Sequence, residues 1–286
     1  MALPSPKSAD SPFLPRDTFA GDVILVTGGG TGLGKAIAQG FARLGGAVAI
    51  ASRNAEHRAA GIAAVEQAGG KAIGIALDVR SAESVAAAFD EVEEQLGPVT
   101  VLINNAAANF PVPAEEISPN GWRAITQITL DGPFFCSTEF ARRRIARGEP
   151  GAILNIGATY AWTGGPGAAP SAAAKAGVAN LVQSLSVEWA PDGIRINGLM
   201  PGNFPHDDQP EALRSLPGSD DLASRIPAQR VGELHELAWA ACFLCSPFAT
   251  YITGHNLVID GANWLRRGLR FPVFEPVRDW SRSKKN

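Results

Sequence analysis

Short apolar runs, separated by longer stretches of mixed polarity, recur along the chain. Seven strand candidates lie at 22–27, 47–52, 71–77, 99–103, 152–157, 194–199 and 256–259, most of them continuous runs of Val, Ile, Leu and Ala. Strands buried on both faces read this way, because neither side meets water. Between them, residues 32–44, 54–68, 81–95, 119–147, 171–189 and 232–245 read as helices. Strand and helix alternating with short links predicts a single-domain α/β fold of the Rossmann type. Its core is a doubly wound parallel sheet of about seven strands with right-handed crossovers. Ligands of such sheets lie at the carboxyl ends of the strands, so chemistry is expected just after each one.

One segment breaks the alternation. Residues 203–228 hold Pro205, Pro210, Pro217 and Pro227 and the acidic pairs Asp207-Asp208 and Asp220-Asp221. A long irregular insert after a strand's carboxyl end reads as a lid over a substrate, or as a variable surface loop. The domain is expected to span 19–265. A loose arm at 1–18, rich in Pro and Ser and without the apolar core of a signal peptide, precedes it. A C-terminal extension, 266–286, follows and ends Lys284-Lys285-Asn286, which is not a peroxisomal address.

Composition narrows the class. Of 286 residues, 45% are apolar and 19% charged, which excludes bulk disorder. A net charge of −3 provides no basic field for nucleic acid or an acidic membrane. No apolar run reaches the roughly 18–20 residues of a membrane span. Cys136, Cys242 and Cys245 are too few, and odd in number, for a disulfide framework, so a reducing, cytoplasmic setting is expected. Cys242 and Cys245 fall in an apolar helix and read as packing. His57, His206, His235 and His255 lack ligand spacing, so no metal site is expected.

Thr27-Gly28-Gly29-Gly30-Thr31-Gly32-Leu33-Gly34 lies between the first strand and the first helix. Glycines there let backbone N–H groups approach a pyrophosphate, and the helix N-terminus adds a partial positive charge. The second strand ends at Ser52-Arg53, where an NAD site would place a carboxylate for the ribose 2′-hydroxyl. A guanidinium instead pairs with a 2′-phosphate, which favours NADP(H). Asp78 and Val79 after the third strand fit the adenine. Asn104, Asn105 and Ala106 after the fourth fit the middle of the cofactor.

With Lys175 inside Ser171-Ala172-Ala173-Ala174-Lys175, with Pro201-Gly202, and with Thr253-Gly254 and Asp260-Gly261, these motifs resemble the short-chain dehydrogenase/reductase superfamily over about 18–265. The resemblance implies that Lys175 holds the nicotinamide ribose and that Pro201, Gly202 and Phe204 flank the cofactor. It also implies a homotetramer built through the two long helices. The chain departs from the pattern twice. Ser171 stands where the superfamily's tyrosine stands, four residues before the lysine, and Ala158 stands where its serine is expected. The proton donor for an alkoxide is missing from its usual place, which argues against routine ketone chemistry.

A narrower resemblance accounts for both departures. Asn105-Ala106-Ala107-Ala108-Asn109-Phe110, Ser118-Pro119-Asn120 with Trp122, Tyr160-Ala161 and Pro170-Ser171 are similar to the NADPH-dependent 2,4-dienoyl-CoA reductases. In that family a tyrosine fifteen residues before the lysine does the work, and Tyr160 has that spacing. The resemblance implies that Tyr160 and Asn109 donate to the substrate oxygen and that Ser171 positions the ribose or a water. Phe110 and Ser118 then line the substrate side, and the partner is an acyl thioester. Blander readings stand beside these: Tyr160 as a pocket wall, Asn109 as a turn residue, Ser171 as a helix N-cap. For a CoA phosphate the chain offers Arg214, Arg266, Arg267 and Arg270. The alternatives for the whole chain are a divergent dehydrogenase of another carbonyl or alcohol, and a nucleotide-binding protein that has lost catalysis.

Overall fold

The computed structural model describes residues 2–208 and 222–266. All seven expected strands form: β1 Val23–Thr27, β2 Ala47–Ala51, β3 Ala72–Ile75, β4 Val101–Asn104, β5 Gly151–Ile156, β6 Ile194–Pro201 and β7 Asn256–Ile259. They make one parallel sheet in the order β3-β2-β1-β4-β5-β6-β7. The order reverses direction between β1 and β4, and the crevice at that switch is where ligands of this architecture bind.

The side chains of β1 show why it is buried twice over. Ile24 and Val26 pack on one face with Ile37 and Phe41 of helix α1 (Gly32–Arg43). Val23 and Leu25 pack on the other with Phe89 of α3 (Ala82–Leu96). Helix α2 (Ala55–Gln67) joins the α1 side through Val65, and Asn54 caps it by accepting from the Glu56 and His57 amides at 2.7 and 3.3 Å.

The expected helix at 119–147 is not continuous. Helix α4 (Pro119–Thr126) gives way to a π-helical turn, Gln127–Asp131, before α5 (Gly132–Arg147). Pro133 has no amide hydrogen to offer the preceding turn, so regular α bonding cannot run through it. Within that turn the fully buried Thr129 hydroxyl accepts from the Ala108 amide at 3.2 Å. A four-residue helix, α6 (Tyr160–Thr163), has no counterpart in the sequence reading. Helix α7 runs Ala169–Trp189, two residues longer at its start than expected, because Ala169 and Pro170 suit a first turn.

Two further expectations change. The arm at 1–18 does not hang free: Leu3 donates its amide to the Ala228 carbonyl, and the Pro4 carbonyl accepts from Arg230. Phe13 lies against Trp239 of the C-terminal-side helix α9 (Leu234–Cys245), with ring centroids 5.4 Å apart. The insert at 203–228 is anchored at both described ends. Phe204, Ile226 and Ala228 are buried, the last two just after the short helix α8 (Leu222–Arg225). Among the described residues no helix is long and apolar enough to cross a membrane.

Candidate active site

The site begins where β1 meets β4. The Thr27 hydroxyl accepts from the Asn105 and Ala106 amides at 3.0 and 3.1 Å and donates to the Ile103 carbonyl. The Asn105 side chain returns the contact, donating to the carbonyls of Thr27 and Gly28, both at 3.1 Å. Thr27 and Asn105, read from sequence as cofactor contacts, therefore build the glycine loop itself. Asn104 is buried one residue earlier and donates to Asn155 and Ser137, tying β4 to β5 and α5.

The loop then makes a cradle. Any side chain at Gly30 would lie 2.1 Å from the His57 carbonyl of α2, so only glycine lets the two approach. Gly32 opens α1 at φ +46. The Thr31 N-cap makes no side-chain cap bond, leaving that helix end to other acceptors. One acceptor is present. Asp208, from the segment after β6, takes the Gly32 amide at 2.9 Å and pairs with Lys35 at 2.7 Å. Those two contacts, the amide first, hold its carboxyl below the usual range. The loop thus binds an anion already, as a pyrophosphate cradle should. Gly28, Leu33 and Gly34 complete it, with Gly34 packed against Asn105 and Gly28.

The adenine-side corner holds more cations than the sequence suggested. The Arg53 guanidinium is 57% exposed and stands 4.0 Å from Asp78. Arg58 folds beneath it, donating to the Ser52 and Arg53 carbonyls at 2.7 and 3.0 Å, and so fixes the turn after β2. The Ser52 hydroxyl accepts from the Asn54 amide. Asp78, expected at the adenine, is instead forked by Arg80, with Nε at 2.9 and 3.1 Å from its two oxygens. Hydrogen bonds from Arg80 are the main reason its carboxyl lies below the usual range. Val79 is buried and packs against Gly132. Arg53 and Arg80 beside the single Asp78 carboxylate, with Arg58 on the turn next to them, leave a net positive corner suited to a phosphate monoester.

The catalytic candidates come together past β5. Ser171 and Lys175 are four residues apart on α7 and share a face, both buried. Ser171 does not cap the helix; it is the third residue of it, and Ala168 occupies the cap. Its hydroxyl is free for another role: the Tyr160 phenol, brought in by α6, lies 3.0 Å from it. Lys175 donates to the Ile156 carbonyl at the end of β5. Burial pushes the lysine down to about 8 and pushes the tyrosine up. The loop bearing Asn109 joins this side through the Val112 amide, which donates to the Gly167 carbonyl at 3.0 Å. The Asn109 Oδ1 is buried without a hydrogen-bond partner among the described residues. That oxygen is an acceptor and needs a donor; what Asn109 could offer a substrate oxygen is its NH2 group. Ala158, in the place of the superfamily's serine, is buried.

Other expected site residues already have partners within the chain. The Ser118 oxygen caps α4 by accepting from Gly121 at 3.0 Å. Phe204 is buried with its ring against Gly232, while Gly202 presses against Asp260 and Pro201 ends β6. Phe110 is 43% exposed beside that loop. Arg266 donates to the Arg225 carbonyl. Arg214, Arg267 and Arg270 lie outside the described residues. Arg58, Arg80, Thr129 and Asp208 were not singled out by sequence. Each acts on a residue distant in the chain or through a local fold of the backbone, and only Arg58, one turn into α2, carried a hint of its position.

Comparison with known proteins agrees with this geometry. The family model described as Enoyl-(Acyl carrier protein) reductase matches residues 28–262. A Bacillus subtilis protein named a probable 2,4-dienoyl-CoA reductase is 40% identical over 244 residues, covering 85% of this chain and 96% of that protein. Among solved structures, a short chain dehydrogenase from Bacillus anthracis superposes with a TM-score of 0.79 at 37% identity, covering 87% of this chain and 98% of that one. A gluconate 5-dehydrogenase from Burkholderia cenocepacia, solved with NADP and tartrate, gives 0.80 at 35% identity, over 87% and 97% of the two chains. The chain belongs to the short-chain dehydrogenase/reductase family of oxidoreductases.

Proposed function

We propose that this oxidoreductase uses NADPH to reduce a conjugated enoyl thioester, a 2,4-dienoyl-CoA. The observation that carries the reading is the 3.0 Å contact between Tyr160 and Ser171 above Lys175. An acidic hydroxyl is supplied from the end of β5, while the helix position that usually bears it holds only an alcohol. The identity to a probable 2,4-dienoyl-CoA reductase supports the same reading.

The chemistry suits this arrangement. A nicotinamide held in the cradle would supply a hydride to a carbon remote from the thioester carbonyl. The electron pair flows back through the conjugated bonds to the thioester oxygen, giving a dienolate. That oxygen needs fixed donors, and the Tyr160 phenol and the Asn109 amide serve there. Each is worth roughly 2.7–4 kcal/mol in the transition state, judged by the cost of losing one such donor. Ser171 orients the phenol. Lys175, anchored on the Ile156 carbonyl, holds the ribose and adds positive potential. A proton from solvent reaches the α-carbon and completes a monoenoyl thioester. A second reading, oxidation of another alcohol, draws on the likeness to gluconate 5-dehydrogenase; in it Tyr160 would protonate a carbonyl oxygen directly.

The partner reading extends to assembly. Phe134 and Ile145 on α5 and Val187 on α7 leave their apolar side chains exposed, Val187 at 78%. We read these helices as the interface of a homotetramer, in a cytoplasmic protein.

Three outcomes test these proposals. Tyr160→Phe should lower single-turnover NADPH oxidation by dienoyl-CoA about 100-fold or more with NADPH affinity unchanged, because the loss falls on the transition state. Ser171→Ala, which leaves the phenol in place but unoriented, should cost less, about tenfold. A Tyr160→Phe protein as fast as the parent beside an inactive Ser171→Ala would contradict the assignment. NADPH should bind more tightly than NADH, and Arg53→Ala should shrink that preference roughly tenfold, the worth of a charged hydrogen bond; equal dissociation constants in the parent would refute it. Light scattering at micromolar concentration should return the mass of four chains, and a monomer would overturn the interface.

A further inference from the structure

The cofactor's phosphate cradle holds one of the chain's own carboxylates. Asp208 accepts from the Gly32 amide at 2.9 Å, the first helical residue of α1, and its Oδ2 lies 2.7 Å from the Lys35 ammonium one turn further on. A second contact is independent of that carboxylate. The His206 imidazole lies directly over the loop, so close that a Cβ on Gly32 would come within 2.6 Å of its Cε1. Two residues of one segment therefore cover the same turn of backbone. The segment is pinned just before them. Phe204 is buried in the core, and the Asn203 carbonyl accepts from the Gly232 amide at 2.9 Å. Among the described residues, Pro205 to Asp208 follow that anchor directly.

A carboxylate and a dinucleotide's pyrophosphate want the same thing from this loop: an outward-pointing amide, the positive end of a helix and a nearby cation. Two anions on one helix N-terminus repel each other. We propose that Asp208 is an internal latch that mimics the pyrophosphate and must leave the loop when a nicotinamide dinucleotide binds, handing Lys35 and the Gly32 amide to the incoming phosphates. The same movement lifts His206 off Gly32 and swings the segment after β6 away from the cradle. Binding of cofactor and placement of this segment are then one event. The inference rests on a nicotinamide dinucleotide using the glycine loop, and not on the dienoyl substrate or on the choice between NADP and NAD.

A competitor built into the chain weakens apparent affinity by the fraction of molecules in which the site is open. Asp208→Ala removes the latch, and Asp208→Asn keeps its shape without the charge. Both should bind NADPH and NADH more tightly than the parent, about five- to tenfold for Asp208→Ala and less for Asp208→Asn. The ratio of the two cofactors should not move, since both carry the pyrophosphate. That separates this effect from Arg53→Ala, which acts on the ratio. Inorganic pyrophosphate, measured by calorimetry, should show the same tightening with no nicotinamide present. Hydrogen exchange supplies a readout of opposite sign to ordinary ligand protection: on adding NADPH to the parent, amides at 28–34 should slow and those at 203–208 should quicken. Weaker or unchanged binding by Asp208→Ala, or protection of 203–208 by NADPH, would overturn the latch and make Asp208 a strut of the bound state.

Discussion

One hydroxyl holds the two halves of this sheet in register at the place where they diverge. Thr27 ends β1, and its side chain takes the Asn105 and Ala106 amides beyond β4 while donating to the Ile103 carbonyl. Asn105 closes the circuit onto the carbonyls of Thr27 and Gly28. The sheet runs from β1 to β2 on one side of this knot and from β4 to β5 on the other. Beyond the β1–β4 ladder, this knot ties the glycine loop to the start of the loop bearing Asn109. With it, the cradle, the cationic corner at Arg53 and the Tyr160 region all open on the same edge of the sheet.

The chemistry depends on how that edge is furnished. A parallel strand delivers its loop to the carboxyl edge whatever follows it, so a functional side chain can be supplied by a strand end or by the helix after it. Here the helix contributes Ser171 and Lys175, and the strand end contributes Tyr160 through one turn of helix. The phenol still reaches the serine, at 3.0 Å. Moving an acidic hydroxyl in this way changes its angle of approach without removing it from the site. Burial, which raises the phenol and lowers the lysine, keeps one neutral and pushes the other down to about 8.

Much of this was legible in the sequence, for a physical reason. Strands buried on both faces are mostly apolar, with polar residues such as Thr27 and Asn104 where partners satisfy them, so all seven were visible in the sequence. The glycine loop was visible because close backbone approach tolerates nothing larger at Gly30. The break at 127–131 was hinted at by Asp131-Gly132-Pro133 yet hidden by continuous helical composition on both sides. Ser171 looked like a cap because a serine near a helix start often is one, but Pro170 just before it already belongs to the helix. Ser118, followed by Pro119, had the same signal and does cap. The contact of Asp208 on Gly32 joins residues by tertiary placement, and no local pattern announces it.

The central claim is that a tyrosine at the strand end, in place of one on the helix, suits this site to dienolate rather than alkoxide chemistry. The direct measurement is the rate of NADPH oxidation by the purified protein with a 2,4-dienoyl-CoA, a saturated ketone and a 5-keto sugar acid side by side. The account predicts turnover with the dienoyl thioester and rates lower by about 100-fold or more, the scale of losing one oxyanion donor, with the other two. Faster reduction of the ketone or the keto acid than of the dienoyl thioester would contradict it.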